Sequence, residues 1–141
     1  MELFFREQYL SKIRGFYHDT DIIKVITGVR RCGKSSLMEM IKDELIASGI
    51  REECIIYLDL DSRKYRKIKT DDEFEKIVDE LSTTKGTKYL FVDEIQNIKN
   101  FEEIINAFRK QSTSQKRPVF IHTLQRDVYD FNFSLCSLAY E

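Results

Sequence analysis

The stretch "GVRRCGKSS", residues 28–36, follows an almost wholly apolar, β-branched run (Ile22, Ile23, Lys24, Val25, Ile26, Thr27) and precedes a helical pattern. It fits the spacing G-x-x-x-x-G-K-[ST] at every fixed position, with Gly28, Gly33, Lys34 and Ser35 in the four places. The chemistry needs those residue types there. Glycine lets the backbone bend without a Cβ clash, so that successive N–H groups and the start of the next helix face phosphate oxygens. The lysine reaches the outer phosphates, and the hydroxyl after it completes a magnesium shell. The expected cradle is Gly28, Val29, Arg30, Arg31, Cys32, Gly33, Lys34, Ser35 and Ser36, with Lys34 also acting on the reacting phosphate and Ser35 as a metal ligand.

Outward from this loop the chain alternates strands and helices. Leu37, Ile41 and Leu45 lie four apart with Met38 and Met40 beside them, and Gly49 supplies a stop. Upstream, Tyr9, Leu10, Ile13 and Phe16 predict a short amphipathic helix over about 6–17. Downstream, residues 54–60 read as a second strand, ending among Asp59 and Asp61. Thr70 and Glu73 have capping-box spacing ahead of a helix whose face is Phe74, Ile77, Val78 and Leu81. Tyr89, Leu90, Phe91 and Val92 form a third strand, and Asn100 with Glu103 caps a helix facing inward through Phe101, Ile104, Ile105 and Phe108. This order predicts an α/β fold of three layers, a mainly parallel sheet with helices on both faces, in one domain over residues 1–141 with its core at 22–110.

The third strand runs into Asp93 and Glu94. In open parallel sheets ligands bind beyond the carboxyl ends of the strands, so this acidic pair and the glycine loop are expected to share one site. Asp93 would hold magnesium, and Glu94 would polarise an attacking water as general base. The catalytic pair is then Glu94 and Lys34, the metal pair Ser35 and Asp93. The Asp-x-x-Gly and Asn-Lys-x-Asp strings of a GTP switch are absent, and ATP with magnesium is the expected ligand.

The 141 residues suffice for one core. Twenty-three basic and 24 acidic side chains nearly cancel, which excludes a global field for nucleic acid or an anionic membrane. No apolar run approaches a membrane span or a signal peptide, and a cytoplasmic protein is expected. Cys32, Cys54 and Cys136 are odd in number and widely spaced, and His18 and His122 stand alone, so reduced thiols and no structural zinc are expected.

The strings formed by residues 28–35 and by Val92, Asp93, Glu94, Ile95 and Gln96 resemble the AAA-type ATPases of bacteria and archaea that carry a DUF4143 domain C-terminally. The likeness covers about 6–109. It implies an ATP-binding P-loop core in which the strand after the acidic pair lies between the P-loop strand and the strand bearing that pair. It also implies a polar sensor residue at the end of that strand and an arginine finger beyond it. Val119, Phe120 and Ile121 stand where the inserted strand is expected, with His122 or Thr123 at the sensor position. Arg109, Arg117 and Arg126 are the arginines available for the finger.

From residue 111 onward the chain departs from the family. The usual Thr-Gly-Ser string is missing and the DUF4143 region is absent, so the resemblance implies a truncated member with an atypical tail at 111–141. Tyr129, Phe131, Phe133 and Leu135 alternate with polar residues as in a half-buried strand, only residues 124–128 after the previous one. So short a link cannot make a parallel crossover, which needs about a dozen residues; this strand must pair antiparallel, lie elsewhere or stay disordered.

Two smaller signals remain. Arg63, Lys64, Tyr65, Arg66, Lys67, Ile68 and Lys69 could track a nucleic-acid backbone with Tyr65 stacking on a base, although a solvated loop explains them equally. Cys32, beside Lys34 and the loop amides, is expected to have a lowered thiol pKa. Three alternatives to an ATPase stay open: a non-hydrolysing regulatory or interaction module, a small P-loop kinase, and a nucleic-acid-associated motor. Self-association is compatible with all of them.

Overall fold

Apolar, β-branched sequence on both faces makes Ile22–Gly28 (β1) an interior strand, and the computed structural model pairs it on both sides. The structure describes residues 7, 10–18, 22–28, 33–83, 85–110, 118–125 and 132–137, with the backbone alone at 22, 28, 109, 110 and 132–137. The other strands are Ile55–Asp59 (β2), Tyr89–Asp93 (β3), Val119–Gln125 (β4) and Asn132–Ser137 (β5). The helices are Lys34–Ala47 (α1), Asp71–Leu81 (α2) and Phe101–Lys110 (α3).

The sheet order is β2-β3-β4-β1-β5, and the first four strands are parallel. From β1 the chain travels across the sheet to β2 and then steps back through β3 to β4. A right-handed crossover must therefore put α1 on one face and α2 and α3 on the other. Burial agrees. Leu37, Met38, Ile41 and Leu45 of α1 join Leu10, Ile13 and Tyr17 against Ile26, Phe91 and Ile121. Phe74 of α2 and Ile104 of α3 cover Ile23, Leu58, Leu90, Val92 and Phe120 on the opposite side.

The helix boundaries follow local chemistry. Gly49 (φ 110°) ends α1 in a Schellman arrangement, with the Ile50 N–H on the Leu45 carbonyl and the Gly49 N–H on that of Ile46, both at 3.1 Å. The Thr70 and Glu73 capping box forms at the start of α2, where the Thr70 Oγ1 accepts the Glu73 N–H at 3.2 Å. Ahead of α3, Asn100 takes a positive φ of 62°, which asparagine tolerates, and its carbonyl accepts the Glu103 N–H. At the N-terminus, Leu10 to Ile13 are helical, but Arg14–Phe16 tighten into a 3₁₀ turn. The tighter winding brings Tyr17 into the core in place of the expected Phe16, and the Tyr17 hydroxyl donates to Glu44 at 2.6 Å.

One expectation changes in the last third. β4 extends to Gln125 instead of closing near Ile121, because the polar residues His122 and Thr123 lie inside the strand and are buried. β5 covers residues 132–137; residues 129–131 of the alternating pattern lie outside the described residues. Of the arrangements a short link permits, the antiparallel one occurs: β5 pairs with β1 from Thr27↔Asn132 to Ile22↔Ser137.

Candidate functional site

Side chains alternate across a strand, and this periodicity aims the polar residues. Phe91 faces α1, so Asp93, two residues on, does as well; Ile121 faces α1, and Thr123 follows it. Asp93 and Thr123 therefore meet beneath the start of α1, where Gly33 (φ 100°, ψ 13°) takes a left-handed conformation that a Cβ would strain. The first helical turn closes through the Leu37 N–H to the Gly33 carbonyl at 3.1 Å. The amides of the opening residues have no partner within the helix and carry the positive end of its dipole.

Ser35 donates its hydroxyl hydrogen to Asp93 Oδ2, and Thr123 donates to Asp93 Oδ1 at 2.5 Å. Asp93 is 3% exposed and Thr123 fully buried, so both carboxylate oxygens are satisfied away from bulk water. Thr123 Oγ1 also accepts the Glu94 N–H at 2.8 Å. Glu94 has φ 64° and ψ 54°, a left-handed conformation uncommon for glutamate, which turns its side chain back toward the loop. Its Oε1 lies 4.0 Å from the Nζ of Lys34, itself 3% exposed, and its Oε2 accepts a hydrogen bond from Gln96 Nε2 at 2.6 Å. The Oε1 of Gln96 in turn accepts the Gln125 N–H at 3.1 Å.

His122 points to the other face, where its ring lies 5.3 Å from that of Phe120. Its Nε2 is buried without a hydrogen-bond partner, and burial pulls its pKa down to about 4. Of the two residues at the expected sensor position, Thr123 is thus the one that reaches the acidic pair.

Lys34, Ser35, Asp93 and Glu94 are brought together, and Gly28 ends β1 beside them, paired with Gln125. Ser36 is partly buried in the first turn of α1. Val29, Arg30, Arg31 and Cys32 lie outside the described residues, as do Arg117 and Arg126; of Arg109 only the backbone is described. In the basic stretch Tyr65 is partly buried against the core, and Lys64 Nζ lies 5.2 Å from its ring centroid, so the ring is occupied within the fold. Thr123 and Gln96 carry no local sequence signal of their roles, since each acts through a partner distant in sequence.

The donor set fits magnesium. Among the described residues no group of three or more His, Cys, Asp and Glu side chains could hold a metal alone. Magnesium does not require one, since it retains waters and is held by one or two protein groups together with substrate phosphates. A hydroxyl already hydrogen-bonded to a buried carboxylate, beside a buried ammonium and a helix start, supplies such a half-site.

A parallel α/β sheet with a glycine loop between β1 and α1 and an acidic pair after β3 defines a P-loop nucleotide-binding domain. A family model described as an AAA domain (AAA_14) matches residues 20–123, and the chain belongs to that family. It is 41% identical over 105 residues to an uncharacterized protein of Haemophilus influenzae. The matched stretch is 74% of this chain and 26% of that protein, so the chain spans about a quarter of its relative. No solved structure matches significantly. Among the described residues no helix is long and apolar enough to cross a membrane.

Proposed function

We propose that this domain binds ATP with magnesium and hydrolyses it slowly. The observation that carries the reading is the hydrogen bond from the Ser35 hydroxyl to the Asp93 carboxylate, which joins the glycine loop to the acidic strand end. Residues 28–36 would hold the phosphates through main-chain N–H groups, with Lys34 moving its ammonium from Glu94 to phosphate oxygens. Ser35 and Asp93 would hold magnesium, which when bound offsets negative charge on the phosphates. Glu94, released from Lys34 but still held by its main-chain and Gln96 contacts, would accept a proton from the attacking water. Lys34 would then stabilise charge developing at the transferred phosphoryl group.

Turnover is expected to be slow in the isolated chain. An arginine finger is worth about 10³ to 10⁵ in rate where one is used, and self-association could supply it. Phosphate release from the purified chain, compared with Glu94→Gln, tests the reading. Release that falls at least about 100-fold in the variant while ATP still binds supports it. No release from either protein, with ATP bound to both, leaves a non-hydrolysing module instead.

A further inference from the structure

Gln96 lies outside the residues assigned above to phosphate, metal or proton transfer, yet its side chain spans two strand ends. We infer that Gln96 is a positioning residue for Glu94, a clamp that ties the proposed general base to the carboxyl end of β4. The inference rests on the hydrolysis reading given above.

The direction of the amide follows from chemistry. A main-chain N–H can only donate, so the Gln125 N–H requires the oxygen of Gln96, and the bond is 3.1 Å long. That choice leaves the NH₂ group for Glu94, whose carboxylate, when ionised, only accepts; this second bond is 2.6 Å. The amide is therefore oriented by one partner to serve the other. Leucine makes neither bond, and glutamate in its place keeps an acceptor for Gln125 while setting a carboxylate against Glu94.

The clamp matters because Glu94 is otherwise held unevenly. Its main chain is fixed by Thr123 in a left-handed conformation, but its side chain leans toward Lys34, the group that must turn to phosphate. Once the ammonium leaves, Gln96 is the contact that keeps Oε2 where it was. Helix α1 contributes nothing to this restraint; it comes from the 3₁₀ turn Ile95–Asn97 and from β4.

Turnover and equilibrium binding of a non-hydrolysable magnesium-ATP analogue are to be measured on the full chain carrying Gln96→Leu or Gln96→Glu. The expected result is a fall in kcat of more than about tenfold with analogue affinity within about twofold of wild type, because the clamp acts on the base and not on phosphate binding. A second arm needs no turnover. In thermal melts of the nucleotide-free chain, Gln96→Leu and Glu94→Ala should lower Tm non-additively, the double variant losing less than the sum. Unchanged kcat in Gln96→Leu with Glu94→Gln inactive overturns the clamp and leaves the hydrolysis reading standing, as do strictly additive melts. A wild-type chain without turnover overturns both.

Discussion

Asp59 and Asp93 end adjacent parallel strands and stand opposite one another in register, yet they live in different chemistry. Asp93 takes hydroxyl donors from α1 and from β4, elements far from it in sequence, and is shielded from water. Asp59 is partly exposed, and its Oδ1 accepts the N–H of Asp61, two residues away, at 3.0 Å. Burial pushes the Asp59 pKa above its ordinary value, opposed by that N–H and reinforced by the charge of Asp93. The contrast teaches that a carboxylate at a strand end becomes part of a site when non-local donors converge on it.

The largest test of this contrast exchanges each carboxylate for an amide. Asp93→Asn should lower phosphate release by about 10² to 10³, since it removes both an acceptor for Ser35 and the proposed metal ligand. Asp59→Asn should stay within about twofold, because asparagine still accepts the Asp61 N–H. Equal losses from the two changes would end the distinction.

The two faces of β4 repeat the contrast, with the Nε2 of His122 unpartnered on one side and the Thr123 hydroxyl fully engaged on the other. His122 remains neutral in the fold down to about pH 4, whereas the unfolded chain takes up this proton near 6.5. Its contribution is therefore favourable above pH 6.5 and is lost as the pH falls toward 4, by about 3 kcal/mol in all. Urea melts should show wild type losing about 2 kcal/mol more than His122→Leu between pH 7 and pH 5. Glu7, Glu44 and Glu73, whose pKa values are lowered by hydrogen bonds to their charged forms, release their contribution below that window. Parallel pH dependence in the two proteins would remove His122 from this role.

Thr123→Val, isosteric but without the hydroxyl, is of similar size. It strands the Glu94 N–H and leaves Asp93 Oδ1 one donor short, for an expected loss of about 1–3 kcal/mol in urea unfolding. A neutral result would mean that water replaces the hydroxyl in a position with no exposed surface.

These same residues mark where sequence reading succeeds and where it stops. Gly28, Gly33, Lys34 and Ser35 stand at fixed spacing from the end of β1 to the first turn of α1, and Asp93 and Glu94 follow an apolar run; both signals are local and legible in the sequence. The placement of β4 between β1 and β3 came through the family resemblance and is what the sheet shows. Thr123 could not be separated from His122 by composition, because its role depends on Asp93, which lies 30 residues away and on another strand. Gln96 carries no role in the sequence alone for the same reason, its second partner being Gln125. Sequence alone ends β4 near Ile121, because buried polar residues imitate a strand terminus until their cross-strand partners are known.

The convergence of loop and acidic pair on one triphosphate is tested most directly by titrating the purified chain with a magnesium-ATP analogue beside Lys34→Ala. A saturable isotherm in wild type that weakens more than about tenfold in the variant is predicted, from the loss of one charge-assisted contact. Identical isotherms, or none in either protein at millimolar analogue, would contradict it.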